Sequence, residues 1–349
     1  PGSPRWYSAL SPFAFSATRI GRSDETPDVA TALLAHTPGP GSYKAFAIAA
    51  AAAITALLRV GRRDEADRIM AKLDAIEPDA QAREPVAIPH ILSARSWRAM
   101  FDGDPYRCLL LDTELCEALA KLGDARRLAR ERLNLGDDRM NLGAYERAEA
   151  SMRDALTIAE RLGLTAISAA VRHNLGYVML ALGKLAEAES LERESMAEIE
   201  KQYSAVHAGN TSVYLGLILE AGGRPDEAVA CYERALELLI GAPAVRAWPM
   251  SRIAAIKRAR GDVAGALELA IDARKRLDEG QAEEGESTVR LVYAECLLAA
   301  GKRDEAKAAI EEAARRIESR AAWIKDPELE KSFLERVDDH KKTLALAAE

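Results

Sequence analysis

Small and apolar residues recur along the chain at fixed distances from a repeating glycine. The glycines are Gly21, Gly61, Gly103, Gly143, Gly183, Gly223, Gly261 and Gly301, spaced 38 to 42 residues apart. Five residues after each stands a small residue: Thr26, Ala66, Cys108, Ala148, Ala188, Ala228, Ala266 and Ala306. Seven before it the residue is again small at Ala14, Ser96, Gly136, Gly176, Gly216, Ala254 and Ala294, with Ile54 the exception. Twelve after it lie Leu33, Leu73, Leu115, Ala155, Ser195, Ala235, Ala273 and Ala313. The pattern predicts helical hairpins. Helix A ends at the glycine, which accepts the left-handed conformation of a helix stop. Helix B follows after a short polar turn, often with acids at its positive end, as in Asp64-Glu65, Asp226-Glu227 and Asp304-Glu305. Small residues on the facing sides let the two axes approach closely.

Composition supports an all-α chain. The 349 residues are rich in alanine, the best helix former, and only 5% are aromatic. A net charge of −7 argues against a broadly cationic surface, and so against nucleic-acid or anionic-membrane partners. The longest apolar run, Ala45 to Leu58, is too short and too alanine-rich to span a bilayer. Cys108, Cys116, Cys231 and Cys296 form no C-x-x-C pair, and the histidines are scattered, so no metal or other cofactor is expected. Buried thiols in a reducing cytoplasm are the plain reading. The chain opens at Pro1 and reads as a piece of a longer protein. Asp326-Pro327-Glu328 is a helix start, with an acidic N-cap and proline at the first helical position. Phe333, Leu334 and Val337 would then cover the last repeat face.

The hairpins resemble the tetratricopeptide repeat. Leu135-Gly136, Gly143-Ala144-Tyr145, Ala148 and Ala155-Leu156 carry the resemblance, as do Leu215-Gly216, Gly223, Ala228, Tyr232 and Ala235-Leu236. The period is near 40 where that repeat has about 34, and its closing proline survives most clearly as Pro78. The resemblance implies a right-handed α-α superhelix of about eight helical hairpins over residues 1–325, with capping helices over 326–349. The whole chain also resembles the C-terminal region of myxobacterial multidomain serine/threonine protein kinases and signalling ATPases. Pro1-Gly2-Ser3-Pro4-Arg5-Trp6-Tyr7, Arg172-His173-Asn174-Leu175-Gly176 and Phe333-Leu334-Glu335-Arg336-Val337 carry that likeness.

Enzyme signatures are missing. There is no G-x-x-x-x-G-K-[ST] loop, no H-R-D with a downstream D-F-G, no G-x-S-x-G and no H-E-x-x-H. No catalytic residue is assigned, and any kinase or ATPase chemistry would lie in a parent domain, which this segment could contact. In the repeat it resembles, helix A lines a concave groove. That places Arg130, Asn134, Asp137 and Asn141 on one stripe, followed by His173, Asn174 and Tyr177, by Asn210 and Tyr214, and by Trp248 and Arg252. His90 and Trp97 extend the set. Asparagine, tyrosine, tryptophan and arginine are recognition residues, and an asparagine amide can pair with an extended peptide backbone. The plain alternative is that these side chains tie adjacent helices together. Tyr145 and Tyr232 are expected to pack helix B, and the abundant acids to face solvent. The expected function is a non-enzymatic peptide or protein scaffold of a bacterial signalling protein. Its rival is a small-molecule sensor, which needs a closed aromatic pocket built from Trp97, Tyr177, Tyr214 and Trp248.

Overall fold

The described residues of the computed structural model are 1–19, 26–201, 205–242, 245–279 and 284–349. Gly21 lies outside them. Among them are eighteen α-helices and no strand, so the fold class is all-α, as expected. The chain divides into two compact units, Pro1–Leu135 and Gly136–Glu349.

The first unit holds α1 (Pro4–Arg19), α2 (Thr26–Ala35), α3 (Tyr43–Arg59), α4 (Arg63–Arg83), a 3-10 turn at Pro85–Ala87, α5 (Ile88–Asp102), α6 (Pro105–Leu122) and the start of α7 (Ala125–Asn141). Its core is apolar: Tyr7, Leu33, Phe46, Ile54, Leu57, Ile69, Leu73 and Ile91 are fully buried. Trp6, Tyr7 and Phe46 meet edge to face, with centroids 5.0 and 5.2 Å apart. Pro78 does not close its helix. α4 runs on to Arg83, and the extra turn carries Asp79 and Glu84 to the start of α3. There the Tyr43 hydroxyl donates to Asp79 (3.3 Å), while the Tyr43 and Lys44 amides donate to the Glu84 carboxylate (3.1 and 3.2 Å). An acidic partner for those orphan amides favours continuing the helix despite the hydrogen bond that proline removes.

The second unit holds α8 (Tyr145–Arg161), α9 (Thr165–Ala181), α10 (Leu185–Lys201), α11 (Ala205–Ala221), α12 (Pro225–Leu238), α13 (Ala247–Ala259), α14 (Val263–Glu279), α15 (Glu286–Ala299), α16 (Arg303–Ala321), α17 (Pro327–Glu335) and α18 (Asp338–Ala347). Each hairpin turns on its glycine. At Gly183, φ is +74°, its N–H donates to the Leu180 carbonyl (2.9 Å), and the next amide, of Lys184, donates to Met179 (2.8 Å). Ala148, Ala188, Ala228, Ala266 and Ala306, five residues after their glycines, are buried. Close approach is absolute at three helix-A positions. A Cβ on Gly136 would lie 2.6 Å from Met152 Cγ, on Gly176 2.7 Å from Glu192 Oε1, and on Gly216 2.4 Å from the Tyr232 ring. Within this unit α9 packs on α10 and α11, α11 on α12, α13 on α14 and α15, and α15 on α16, which is the sequential packing of a repeat stack.

The N-cap forms as the sequence predicts: Asp326 accepts from the amides of Glu328 (2.9 Å) and Leu329 (3.2 Å). Phe333 is buried, and α18 packs on α15, α16 and α17. His340 pins it. Its Nδ1–H donates to the Phe333 carbonyl (2.9 Å), leaving Nε2 to accept from the Ser287 hydroxyl (3.1 Å). Burial lowers its pKa, which fits this neutral tautomer.

Candidate functional site

Helix-A residues fall into the two units. In the first, Arg130 is exposed, and the Asn134 amide donates to Glu131 on its own helix (2.9 Å). Burial, with Asp112 close by, raises the pKa of the Glu131 carboxyl. His90 accepts from Arg127, whose Nη1 lies 3.0 Å from Nε2 and 3.3 Å from Nδ1. Burial and that neighbouring charge push the His90 pKa down to about 3, so the ring is neutral across the physiological range. Trp97 sits half-buried in α5.

In the second unit the stripe becomes a connected cluster. The Asn174 amide donates to Asp137 across adjacent hairpins (3.4 Å). At the preceding residue of α9, the His173 ring stacks on Tyr214, with centroids 4.1 Å apart and planes 21° from parallel. Tyr214 also meets Tyr177 at 5.0 Å and Trp248 edge-on at 5.6 Å. Four of the predicted residues, from α9, α11 and α13, therefore converge on one aromatic centre. Arg252 pairs with Glu220, which also accepts from the Tyr232 hydroxyl (2.9 Å). Asn141, exposed, and Asn210, half-buried, stand outside this chain of contacts.

Three carboxylates frame the rings: Glu284, Glu192 and Asp137, the last through its charge on His173 and Tyr214. Tyr214 donates to Glu284 at 2.6 Å. The linker can deliver Glu284 because Gly285, at φ +75°, lies flat against the indole. A Cβ there would be 2.2 Å from Trp248 Cγ. Burial and then the Glu284 charge lift the Tyr214 phenol well above its ordinary value. Glu192, on α10, is wholly buried and faces His173, with Oε2 3.1 Å from Nδ1. Burial pushes its pKa up to about 7, His173 opposing. On His173 burial works against charge, but the Glu192 carboxylate and the charges of Glu284 and Asp137 together outweigh it and the pKa rises. The other carboxylate oxygen, Oε1, is buried without a hydrogen-bond partner, as is the Trp248 indole N–H. A carboxyl lodged this way holds a proton to near neutrality.

Glu192 and Glu284 were not among the sequence-derived candidates. Glu192 had a signal: it occupies the repeat position of Met152 and Tyr232, nine residues after the glycine, where the side chain fills the space over a helix-A glycine. Glu284 had none, since its contact depends on a turn between repeats. Among the described residues no three His, Cys, Asp or Glu side chains gather as a metal site, and no helix is long and apolar enough to cross a membrane.

The site and fold together define a helical-repeat protein with a polar and aromatic helix-A face, and comparison with known proteins agrees. Tetratricopeptide-repeat family models match residues 168–241 and 287–312. No curated protein matches the chain. Several solved structures share its fold. One is a Rap protein complexed with competence and sporulation factor, at 10% identity and TM-score 0.66, covering 99% of each chain. Another is the Rap conjugation gene regulator of the plasmid pLS20 in complex with the Phr* peptide, at 11% identity and TM-score 0.59, covering 98% of this chain and 95% of that one. A third is NprR in complex with its cognate peptide NprX, at 13% identity and TM-score 0.54, covering 86% and 88%.

Proposed function

We propose that the helix-A face of the second unit holds a peptide or an extended segment of a partner protein. One observation carries this reading. His173, Tyr177, Tyr214 and Trp248 converge from three successive hairpins, with Asp137, Glu192 and Glu284 around them. Rigid aromatic anchors ringed by hydrogen-bonding groups are what peptide recognition uses. The peptide-bound Rap and NprR structures, similar in fold over most of this chain, support the same use of such a surface. Asn134 and Asn174 both engage their amide donors within the protein, so they serve first to tie helices and second to offer an acceptor to a ligand. As part of this reading the protein is a bacterial, cytoplasmic sensory or scaffolding module, the non-catalytic arm of a larger kinase or ATPase, as its resemblance implies.

Panning a random peptide library on the full chain tests the proposal. Enriched peptides should lose about tenfold or more in affinity on Tyr177→Ala, because truncating a central aromatic anchor typically costs 1–2 kcal/mol or more, and should be indifferent to Arg193→Ala on α10. Enriched peptides that ignore Tyr177→Ala and Asn174→Ala alike would sink it. The gathering of Tyr177, Tyr214 and Trp248 also suits the rival reading, a small-molecule sensor. A small-molecule panel that raises the melting temperature through Tyr177, when no peptide does, selects that rival.

A further inference from the structure

The C-terminal helices do more than cover the last repeat: they return to the first hairpin of the second unit. Arg336, at the end of α17, makes a two-pronged ion pair with Glu146 near the start of α8, both contacts 2.8 Å. Its guanidinium lies over the Tyr145 ring, 5.3 Å from the centroid, and the Tyr145 hydroxyl approaches the Arg336 carbonyl at 3.4 Å. Arg147 reaches Glu328 at 3.5 Å. The turn before α8 is shaped for this approach. A Cβ on Gly143 would stand 2.7 Å from the Ser332 carbonyl oxygen, whereas at Gly183, Gly223, Gly261 and Gly301, the same turn in later hairpins, it would meet nothing within 4 Å. Two acids of the tail, Asp338 and Asp339, lie near enough to the Tyr177 ring for their charge to act on it. Thr288 hydrogen-bonds Asp339, and burial of the Tyr177 phenol, with Asp339 and Asp338 nearby, pushes its pKa up.

We propose that the rim made by Gly143, Tyr145 and Glu146 is a docking site for an arginine-bearing helical segment. α17 and Arg336 fill it in cis, so an incoming partner segment of the same chemistry competes with the protein's own tail. A planar guanidinium matches a carboxylate two-pronged and stacks on a ring, which neither a lysine nor an apolar residue reproduces. The tether keeps the tail at a high effective concentration, so the rim stays closed unless a competitor is abundant or better fitted.

Hydrogen–deuterium exchange of the full chain, read over residues 327–347, tests the closure. Gly143→Ala and Arg336→Glu should each speed exchange there about threefold to tenfold, the range of a lost surface pair with its packing. Gly183→Ala has the same left-handed backbone strain but no facing carbonyl, and should leave those residues unchanged. Combining Arg336→Glu with Glu146→Arg should restore slow exchange. A fluorescein-labelled synthetic peptide of residues 326–349 probes the vacated rim. It should bind the Arg336→Glu chain more tightly than wild type or the charge-swapped double variant, by about the same threefold to tenfold. Unchanged exchange in both single variants, an equal rise in Gly183→Ala, or equal peptide binding by all three chains overturns the proposal. Only its consequence for partner access rests on the groove reading. If the tail opens while groove peptides gain no affinity, the groove reading fails and the docking site stands.

Discussion

Two neighbouring hairpins of the second unit solve one packing problem with opposite chemistry. In α11–α12 the Tyr232 ring fills the space over Gly216, and its hydroxyl ends on Glu220, which is already neutralised by Arg252. In α9–α10 the same space, over Gly176, holds Glu192, one of whose oxygens faces a histidine at 3.1 Å while the other is buried without a hydrogen-bond partner. The first arrangement is finished: apolar bulk, with its polar end satisfied. The second leaves a titratable group in the dry interior, directly behind the ring that stacks on Tyr214. A repeat fixes the volume at this position and leaves its chemistry free: both hairpins lend rings to the aromatic cluster, but α9–α10 alone of the two sets a titratable carboxyl behind it.

The largest effect expected from breaking this comparison is at Tyr232. Tyr232→Ala removes a fully buried ring over a helical glycine that cannot collapse into the void, and strips a partner from Glu220. Destabilisation of about 3–5 kcal/mol is expected, measured by urea unfolding with an unchanged slope. Glu192→Met places at the second site the residue its sibling hairpin carries at Met152. Replacing a poorly partnered buried carboxyl by apolar bulk should leave stability at pH 8 unchanged or improved by about 1–3 kcal/mol. A loss as large as that of Tyr232→Ala would mean that the His173–Glu192 pair holds the hairpin together, and the contrast would be gone.

What was legible in the sequence, and what was not, follows the same division. The hairpins, their glycine turns and their close-packed small residues were legible because each is a local requirement, repeated every forty or so residues. Asp326 was legible as an N-cap for the same reason. His173, Tyr177, Tyr214 and Trp248 could be placed on one face because helix A sets their spacing. Glu192 was read as a solvated helix-B acid, since a carboxylate says nothing by itself about burial, and only comparison with Met152 and Tyr232 marks its position as interior. Glu284 and Arg336 act through contacts 70 and 190 residues long, and no periodicity encodes those.

The pH dependence of the pair sharpens the comparison further. The Glu192 carboxyl rises from 4.5 unfolded to about 7 folded, and the His173 pKa also rises above 6.5. Both shifts have one sign: the folded chain holds a proton that the unfolded chain would release. Their stabilisation is complete below the unfolded values and is lost as pH climbs through the folded ones. Raising pH from 5 to 8 should therefore lower stability by something of order 2 kcal/mol, by the 1.4 kcal/mol attached to each pKa unit. Glu192→Gln, isosteric and untitratable, should lose this slope, so the wild-type-minus-variant stability should fall as pH rises, while Tyr232→Phe leaves the slope intact. A wild-type difference that rises with pH would refute the burial assigned to Glu192.

The smallest effect expected is at Asn174, and it decides what the asparagines do. Its amide spans 3.4 Å to Asp137, at the long end of a hydrogen bond and on a partly exposed surface. Asn174→Ala should lower stability by only about 0.5–1 kcal/mol, the net worth of one such bond. Asn141→Ala, exposed at the end of α7, should change nothing measurable. If the amide also meets a ligand, peptides selected on the wild-type chain will weaken on Asn174→Ala by more than this stability change explains, with Asn141→Ala again silent. Equal behaviour of the two variants in binding would make Asn174 a tie between hairpins and leave recognition to the rings alone.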